Sequence, residues 1–90
     1  MDNLQKKIIP VLEKYSVKKA AIFGSYARGE FNENSDVDIL ILPPKGMGLG
    51  FVRLKRDLEQ SLDKKVDLVS YNGISPYLRK SILRYEQKII

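Results

Sequence analysis

The chain reads as a small α/β domain, with helices packed on one small β-sheet, and three observations predict it. Apolar residues switch between helical and strand-like spacing along the chain, in the order α-β-α-β-α-β-α. Glycine and proline fall between those segments or at their ends, with Pro10 the one exception. At 90 residues the chain makes one domain, residues 1–90, with a single feasible core. No repeat or low-complexity segment interrupts it. Strand directions are not legible from this pattern.

Leu4, Ile8, Val11, Leu12 and Tyr15 recur at helical spacing and predict a first helix from about Asp2 to Tyr15, with a kink or restart at Pro10. "VKKAAIF" (Val17–Phe23) is a short strand ended by Gly24. Ser25 to Arg28 form a brief helix closed by Gly29. "FNENS" is a polar loop in which Asn32, Asn34 and Ser35 suit turns. "DVDILIL" (Asp36–Leu42) is the central strand, stopped by Pro43 and Pro44. Phe51, Leu54, Leu58 and Leu62 then line one face of a helix whose other face carries Arg53, Lys55, Arg56, Glu59 and Gln60. "KKVDLVS" (Lys64–Ser70) is a third strand. Ser75 caps a last helix with Pro76 at its first position, and Leu78, Ile82, Tyr85 and Ile89 form its inner face.

Composition removes whole classes of chemistry. With no cysteine and no histidine, disulfides, cysteine zinc sites, thiol nucleophiles and His-based triads are excluded. Acid–base or metal chemistry must rest on Asp, Glu, Lys, Arg, Tyr and Ser. A net charge of +5 favours polyanionic partners, though a merely soluble basic surface fits it equally. No apolar stretch approaches the roughly 20 residues that span a bilayer, and no signal peptide is visible. No membrane partner and a cytoplasmic location are expected.

Asp36 and Asp38 head the central strand. Alternation points them to one side, roughly 6–7 Å apart along the backbone, with Val37 and Ile39 on the other. Two like charges at about 4 Å repel by roughly 4 kcal/mol at an effective dielectric of 20. A divalent cation between them reverses that sign, and all-oxygen donors suit Mg²⁺ or Mn²⁺ better than zinc. A hydrated pair at an exposed strand start is the plain alternative. Asp67 bears on the choice, because it stands beside the pair if its strand neighbours the central one.

Gly24 and Ser25 lie where a strand turns into a helix. Close backbone approach, freed N–H groups and the Ser25 hydroxyl suit an anion there. Arg28, one turn on, suits bidentate contact with phosphate oxygens. Taken alone, this is equally a plain turn with Ser25 as N-cap and Arg28 solvated.

Together, Gly24-Ser25-x-Ala27-Arg28-Gly29 and the later Ser35-Asp36-x-Asp38 resemble the signature of the polymerase-β-type nucleotidyltransferase superfamily. Similarity is greatest to its minimal nucleotidyltransferase (MNT) members. The first helix, three strands and late Asp67 extend the resemblance over essentially the whole chain. It implies a polymerase-β-like fold with a small mixed sheet, and transfer of a nucleoside monophosphate from a triphosphate, here ATP, to an acceptor hydroxyl. Asp36 and Asp38 would hold two Mg²⁺ ions (Mn²⁺ being possible), with Asp67 as third acid, binding metal or taking the acceptor's proton. Gly24 and Ser25 would seat the terminal phosphates, and Arg28 would add charge near them. MNT proteins are typically encoded beside HEPN-domain toxins. The resemblance therefore implies an antitoxin that adds AMP to a tyrosine of such a partner, in a hetero-oligomer. The alternative is a catalytically vestigial subunit that neutralises its partner by complex formation. Direct nucleic-acid binding is not expected.

Three features stand outside that signature. "PPKGMGLG" imitates a dinucleotide fingerprint, but Phe51 occupies the third glycine's place. It is expected to be a mobile loop bordering the active site, with Lys45 solvated. Arg79, Lys80, Arg84 and Lys88 make the last helix basic, a solvated face or a docking surface. Tyr71, Tyr77 and Tyr85 read as core or rim, whereas Tyr26 is left open, facing either nucleotide or acceptor.

Overall fold

The computed structural model describes residues 2–32 and 34–90; Glu33, part of the expected polar loop, lies outside them, as does Met1. Four helices, α1 (Asp2–Lys14), α2 (Gly24–Arg28), α3 (Gly50–Leu62) and α4 (Pro76–Tyr85), accompany four strands, β1 (Ala20–Phe23), β2 (Val37–Ile41), β3 (Val66–Ser70) and β4 (Gln87–Lys88). The sheet order is β3-β2-β1-β4, with β2 and β3 parallel and the other neighbours antiparallel. The expected alternation is present, and β4 is an addition to it.

Helix α1 runs through Pro10 as one element. Pro10 is exposed, so the carbonyl it leaves unpaired one turn back can turn to water. The helix ends in a Schellman motif with Ser16 at positive φ. Ser16 N–H donates to the Glu13 carbonyl and Val17 N–H to that of Leu12, while the Val17 and Leu12 side chains both join the core. That motif explains why β1 begins at Ala20 and not at Val17: the first residues of "VKKAAIF" close a helix before the strand opens.

The larger core lies on one face of the sheet. Ile22 of β1, Val37, Ile39 and Ile41 of β2, and Val66 and Leu68 of β3 meet Ile8 and Leu12 of α1 and Leu54, Leu58 and Leu62 of α3. Alternation along each strand sends these residues to the same side. Burying one such side chain contributes about 1.5–3 kcal/mol. Helices α1 and α3 are also joined at their rims, where the Tyr15 hydroxyl donates to Asp57 and Lys14 pairs with it at 3.5 Å.

The opposite face carries a smaller cluster of Ala21, Leu40 and Tyr71, flanked by Phe23, Val69, Ile74, Ile82 and Leu83. Helix α4 covers part of it with Ile82 and Leu83, not with the expected Leu78, which is 57% exposed. Ser75 occupies the N-cap position with Pro76 following, but its side chain makes no capping hydrogen bond. The helix stops at Tyr85, and Glu86 turns into extended backbone. Lys88 and Ile89 therefore leave it: Lys88 joins β4 beside β1, and Ile89 packs on the larger core. The Tyr71 hydroxyl donates to Glu86 at 2.9 Å, tying the end of β3 to the start of β4.

Candidate active site

The site is built where β1 ends and β2 begins. Because these strands run antiparallel, the exit of one lies beside the start of the other, and Phe23 stands opposite Asp38. Gly24 follows Phe23 at φ +70, where a side chain would be strained. A Cβ there would also stand 2.9 Å from Asp38 Cγ, so the glycine lets the backbone pass against the carboxyl. Gly29, in the left-handed region at φ +74, closes α2. Between them Ser25 and Arg28 face a cleft of about 350 Å³, lined by Phe23, Gly24, Ser25, Arg28, Asp38, Ser81, Ile82 and Tyr85. That volume is in the range of small-molecule pockets.

The polar loop before β2 is held by its own side chains. Asn34 N–H donates to Asn32 Oδ1 at 2.8 Å and Asn32 N–H to Ser35 Oγ at 3.0 Å. This delivers Asp36, exposed, to the strand's threshold, and β2 itself starts at Val37.

The parallel pairing of β2 and β3 sets Asp67 directly beside Asp38, with Val37 beside Val66 and Ile39 beside Leu68. Neighbouring strands lie about 4.8 Å apart, and both acids alternate away from the core face. Asp67 is exposed and Asp38 half-buried. Burial pushes the Asp38 carboxyl from its ordinary 3.8 up to about 6; the charges of Asp67 and Asp36 add to the rise, and Arg28 opposes it. Arg28 also pairs with Glu30 at 3.3 Å, an exposed contact of little energetic weight.

Among the described residues no three carboxylates are gathered tightly enough to wrap a metal ion by themselves. The donor set nevertheless fits a hard divalent cation in chemistry. It consists of carboxylate oxygens alone, and Asp38 lacks enough positive charge nearby to keep its ordinary acidity.

Other expectations find their places too. Tyr26 is buried in the larger core and stacks on Phe31, with centroids 4.3 Å apart, so it faces neither a nucleotide nor an acceptor. Tyr71 is buried, Tyr77 is 95% exposed and Tyr85 sits on the rim of the cleft. The "PPKGMGLG" loop does not border this cleft. It leaves β2 at the far end of the strand, after Ile41, three residues or about 10 Å beyond Asp38, because the site lies at the strand's beginning. The contribution of Ser81, Ile82 and Tyr85 was not foreseen. Ser81 and Ile82 sit mid-helix without a motif, and the tertiary contacts of α4 with α2 and β1 bring them to the site.

Residues 6–90 match the family described as polymerase beta, nucleotidyltransferase. The chain is 50% identical over 84 residues to a Methanocaldococcus jannaschii protein provisionally named a protein adenylyltransferase, covering 92% of this chain and 90% of the relative. It is 40% identical over 76 residues to the protein adenylyltransferase MntA of Thermococcus cleftensis, covering 80% and 74%. Its fold is similar to a chain in a crystal structure of a toxin-antitoxin with AMP-PNP. The TM-score is 0.82 at 28% identity, covering 96% of this chain and 72% of that one.

Proposed function

The chain belongs to the polymerase beta nucleotidyltransferase family, and from that premise we propose that it is a protein adenylyltransferase. It transfers AMP from ATP to a tyrosine hydroxyl of a HEPN-type toxin and so acts as the antitoxin of the pair. One observation carries this reading: the register that sets Asp67 beside Asp38, which itself lines the cleft with Gly24, Ser25 and Arg28. The named relatives and the toxin-antitoxin likeness support the acceptor class and a hetero-oligomer. No described helix is long and apolar enough to cross a membrane, and we assign the reaction to the cytoplasm.

Each side chain then has a task. Asp36, Asp38 and Asp67 would hold two Mg²⁺ ions, or Mn²⁺. Bound there, the ions would supply charge for both the entering and the leaving oxygen of an in-line displacement. Gly24 keeps the backbone close to Asp38, and the Ser25 hydroxyl and the adjoining N–H groups seat the terminal phosphates. Arg28 places a fixed positive charge against them. Asp67, exposed beside the cleft, accepts the proton of the incoming hydroxyl; without histidine or cysteine, a carboxylate is the conventional base at hand.

The test is direct. The chain is incubated with the protein encoded beside it, ATP and Mg²⁺, and the partner's intact mass is followed for a gain of one or more AMP units. Substituting Asp36→Asn and Asp38→Asn together should abolish both the gain and the neutralisation. No gain with any nucleotide, with neutralisation surviving the double substitution, would overturn catalysis. It would favour a vestigial subunit that acts by complex formation, the reading that the loose grouping of the carboxylates favours.

A further inference from the structure

Helix α2 is five residues long, so its carbonyls must find partners beyond its own turn. Glu30 N–H donates to the Ser25 carbonyl at 2.9 Å and Gly29 N–H to that of Tyr26 at 3.3 Å. The Ala27 carbonyl is the next in line. It accepts from Gln87, 60 residues later in the chain, whose Nε2 donates at 3.2 Å. Among the described residues no other donor reaches it.

Strand β4 is placed for that contact. Its antiparallel pairing sets Gln87 opposite Ile22, near the end of β1 from which α2 departs. The residue before it, Glu86, is held by the Tyr71 hydroxyl. Just after the strand, Ile89 N–H donates to the Ala20 carbonyl at 2.9 Å. The Gln87 amide therefore extends from a backbone fixed on both sides.

What the contact holds is the residue that follows. The Ala27 carbonyl and the Arg28 Cα belong to one planar peptide unit, so anchoring the first restrains the second. Arg28 lines the cleft, and its exposed pairing with Glu30 is too weak to fix the guanidinium. Its aim thus depends on its backbone. Tyr26, buried and stacked on Phe31, pins α2 from the core side, and Gln87 ties its last turn from outside. Bidentate contact with phosphate oxygens needs a placed Cα as well as a charge.

We propose that Gln87 is a positioning residue for Arg28, which makes β4 a working part of the nucleotide site although it lines none of the cleft. The inference rests on the adenylyl-transfer reading above, in which Arg28 faces the terminal phosphates of ATP. The Gln87 amide holds the Ala27 carbonyl, the peptide unit holds the Arg28 Cα, and the guanidinium is presented to the phosphates in one direction.

A double-mutant cycle tests it, with binding of ATP and Mg²⁺ to the intact chain read by isothermal titration calorimetry. Gln87→Met keeps the length of the side chain and removes the donor. The Kd for ATP should rise about threefold to tenfold, the range of one neutral hydrogen bond. In the intact-mass assay the KM for ATP should rise alike, with kcat changed less than about twofold. The melting temperature should hold, because β4 pairs through its backbone. Arg28→Ala should weaken ATP by itself, and adding Gln87→Met to it should weaken ATP no further. Unchanged ATP affinity in Gln87→Met overturns the inference even where AMP transfer is observed. Additive losses also overturn it, as does a loss that follows a lower melting temperature; either makes Gln87 a structural tie alone. Coupling of the two residues in ATP binding, with no AMP transfer by the wild type, overturns the transfer reading and leaves the positioning in place. A wild type that binds no ATP overturns both.

Discussion

The two faces of the sheet come from the same strands and are built to opposite ends. Along β2, Val37, Ile39 and Ile41 enter a core closed by α1 and α3, while Asp38 and Leu40 look toward α4. The first face leaves Ile8, Leu12, Ile22, Ile39, Leu54 and Leu58 without exposed surface. On the second, among the described residues, only Ala21, Leu40 and Tyr71 are buried, and α4 buries nothing of itself. Stability is concentrated on one side, which lets the other keep a carboxylate that burial, with the charges of Asp67 and Asp36, pushes up to about 6.

The sharpest way to break that comparison uses two adjacent residues. Ile39→Ala should destabilise the fold by about 2–5 kcal/mol, read from urea unfolding. Asp38→Asn should abolish AMP transfer and leave the fold as stable as the wild type or more so. If the two substitutions destabilise alike, the carboxylate face is structural and the division is wrong.

A second contrast pairs two glycines. Gly24→Ala and Gly29→Ala both place a side chain at positive φ, which costs about 1–2 kcal/mol each. At Gly29 the added methyl meets open space; at Gly24 it collides with the Asp38 carboxyl. Comparable falls in melting temperature should therefore accompany very different losses of transfer activity, severe for Gly24→Ala and slight for Gly29→Ala. Equal activity losses would show that the close approach of Gly24 to Asp38 has no catalytic consequence.

The core face was legible in the sequence because burial leaves a period. The spacing of Leu54, Leu58 and Leu62, and the alternation of Val37, Ile39 and Ile41, name their own side. Asp36, Asp38 and Asp67 were legible for the same reason in reverse, as charges inside apolar runs. The placement of Asp67 beside Asp38 needed one thing no local pattern holds, the parallel pairing of β2 with β3. The second face was read poorly because little of it is periodic. β4 is two residues long and takes its conformation from β1, so no propensity announces it. The glycine-rich loop drew attention by composition, although strand direction carries it to the far end of the sheet.

A smaller effect tests how β4 is held. Tyr71 closes the weak face, and burial, helped by its hydrogen bond to Glu86, pushes its hydroxyl up to about 12. Tyr71→Phe removes that bond and should cost about 1 kcal/mol. Faster hydrogen exchange should be confined to Ala20, Ile89 and Ile90, whose amides join β1 to the last residues. A uniform increase across all strands would mean that the weak face does not open independently.

The smallest effect separates the faces by pH. Folded Asp38 titrates near 6 against an ordinary 3.8, so between those values the native state holds more protons than the unfolded chain. Stability contributed by the neutral form is therefore lost as pH rises through that window. Asp57, on the rim joining α1 to α3, has the opposite sign: the hydrogen bond from Tyr15, aided by Lys14, lowers its carboxyl below the ordinary value. Its contribution is present above pH 3.8 and lost only in stronger acid. Melting temperatures measured from pH 3 to 7 should thus rise first and then sag, and Asp38→Asn should remove the sag without touching the rise. Magnesium added at pH 7 should lift the wild type and leave Asp38→Asn where it was, because only the wild type has an uncompensated charge for the cation to relieve. A sag that persists in Asp38→Asn would place the unfavourable charge elsewhere, and with it the argument that the fold tolerates instability at this carboxyl for the sake of its chemistry.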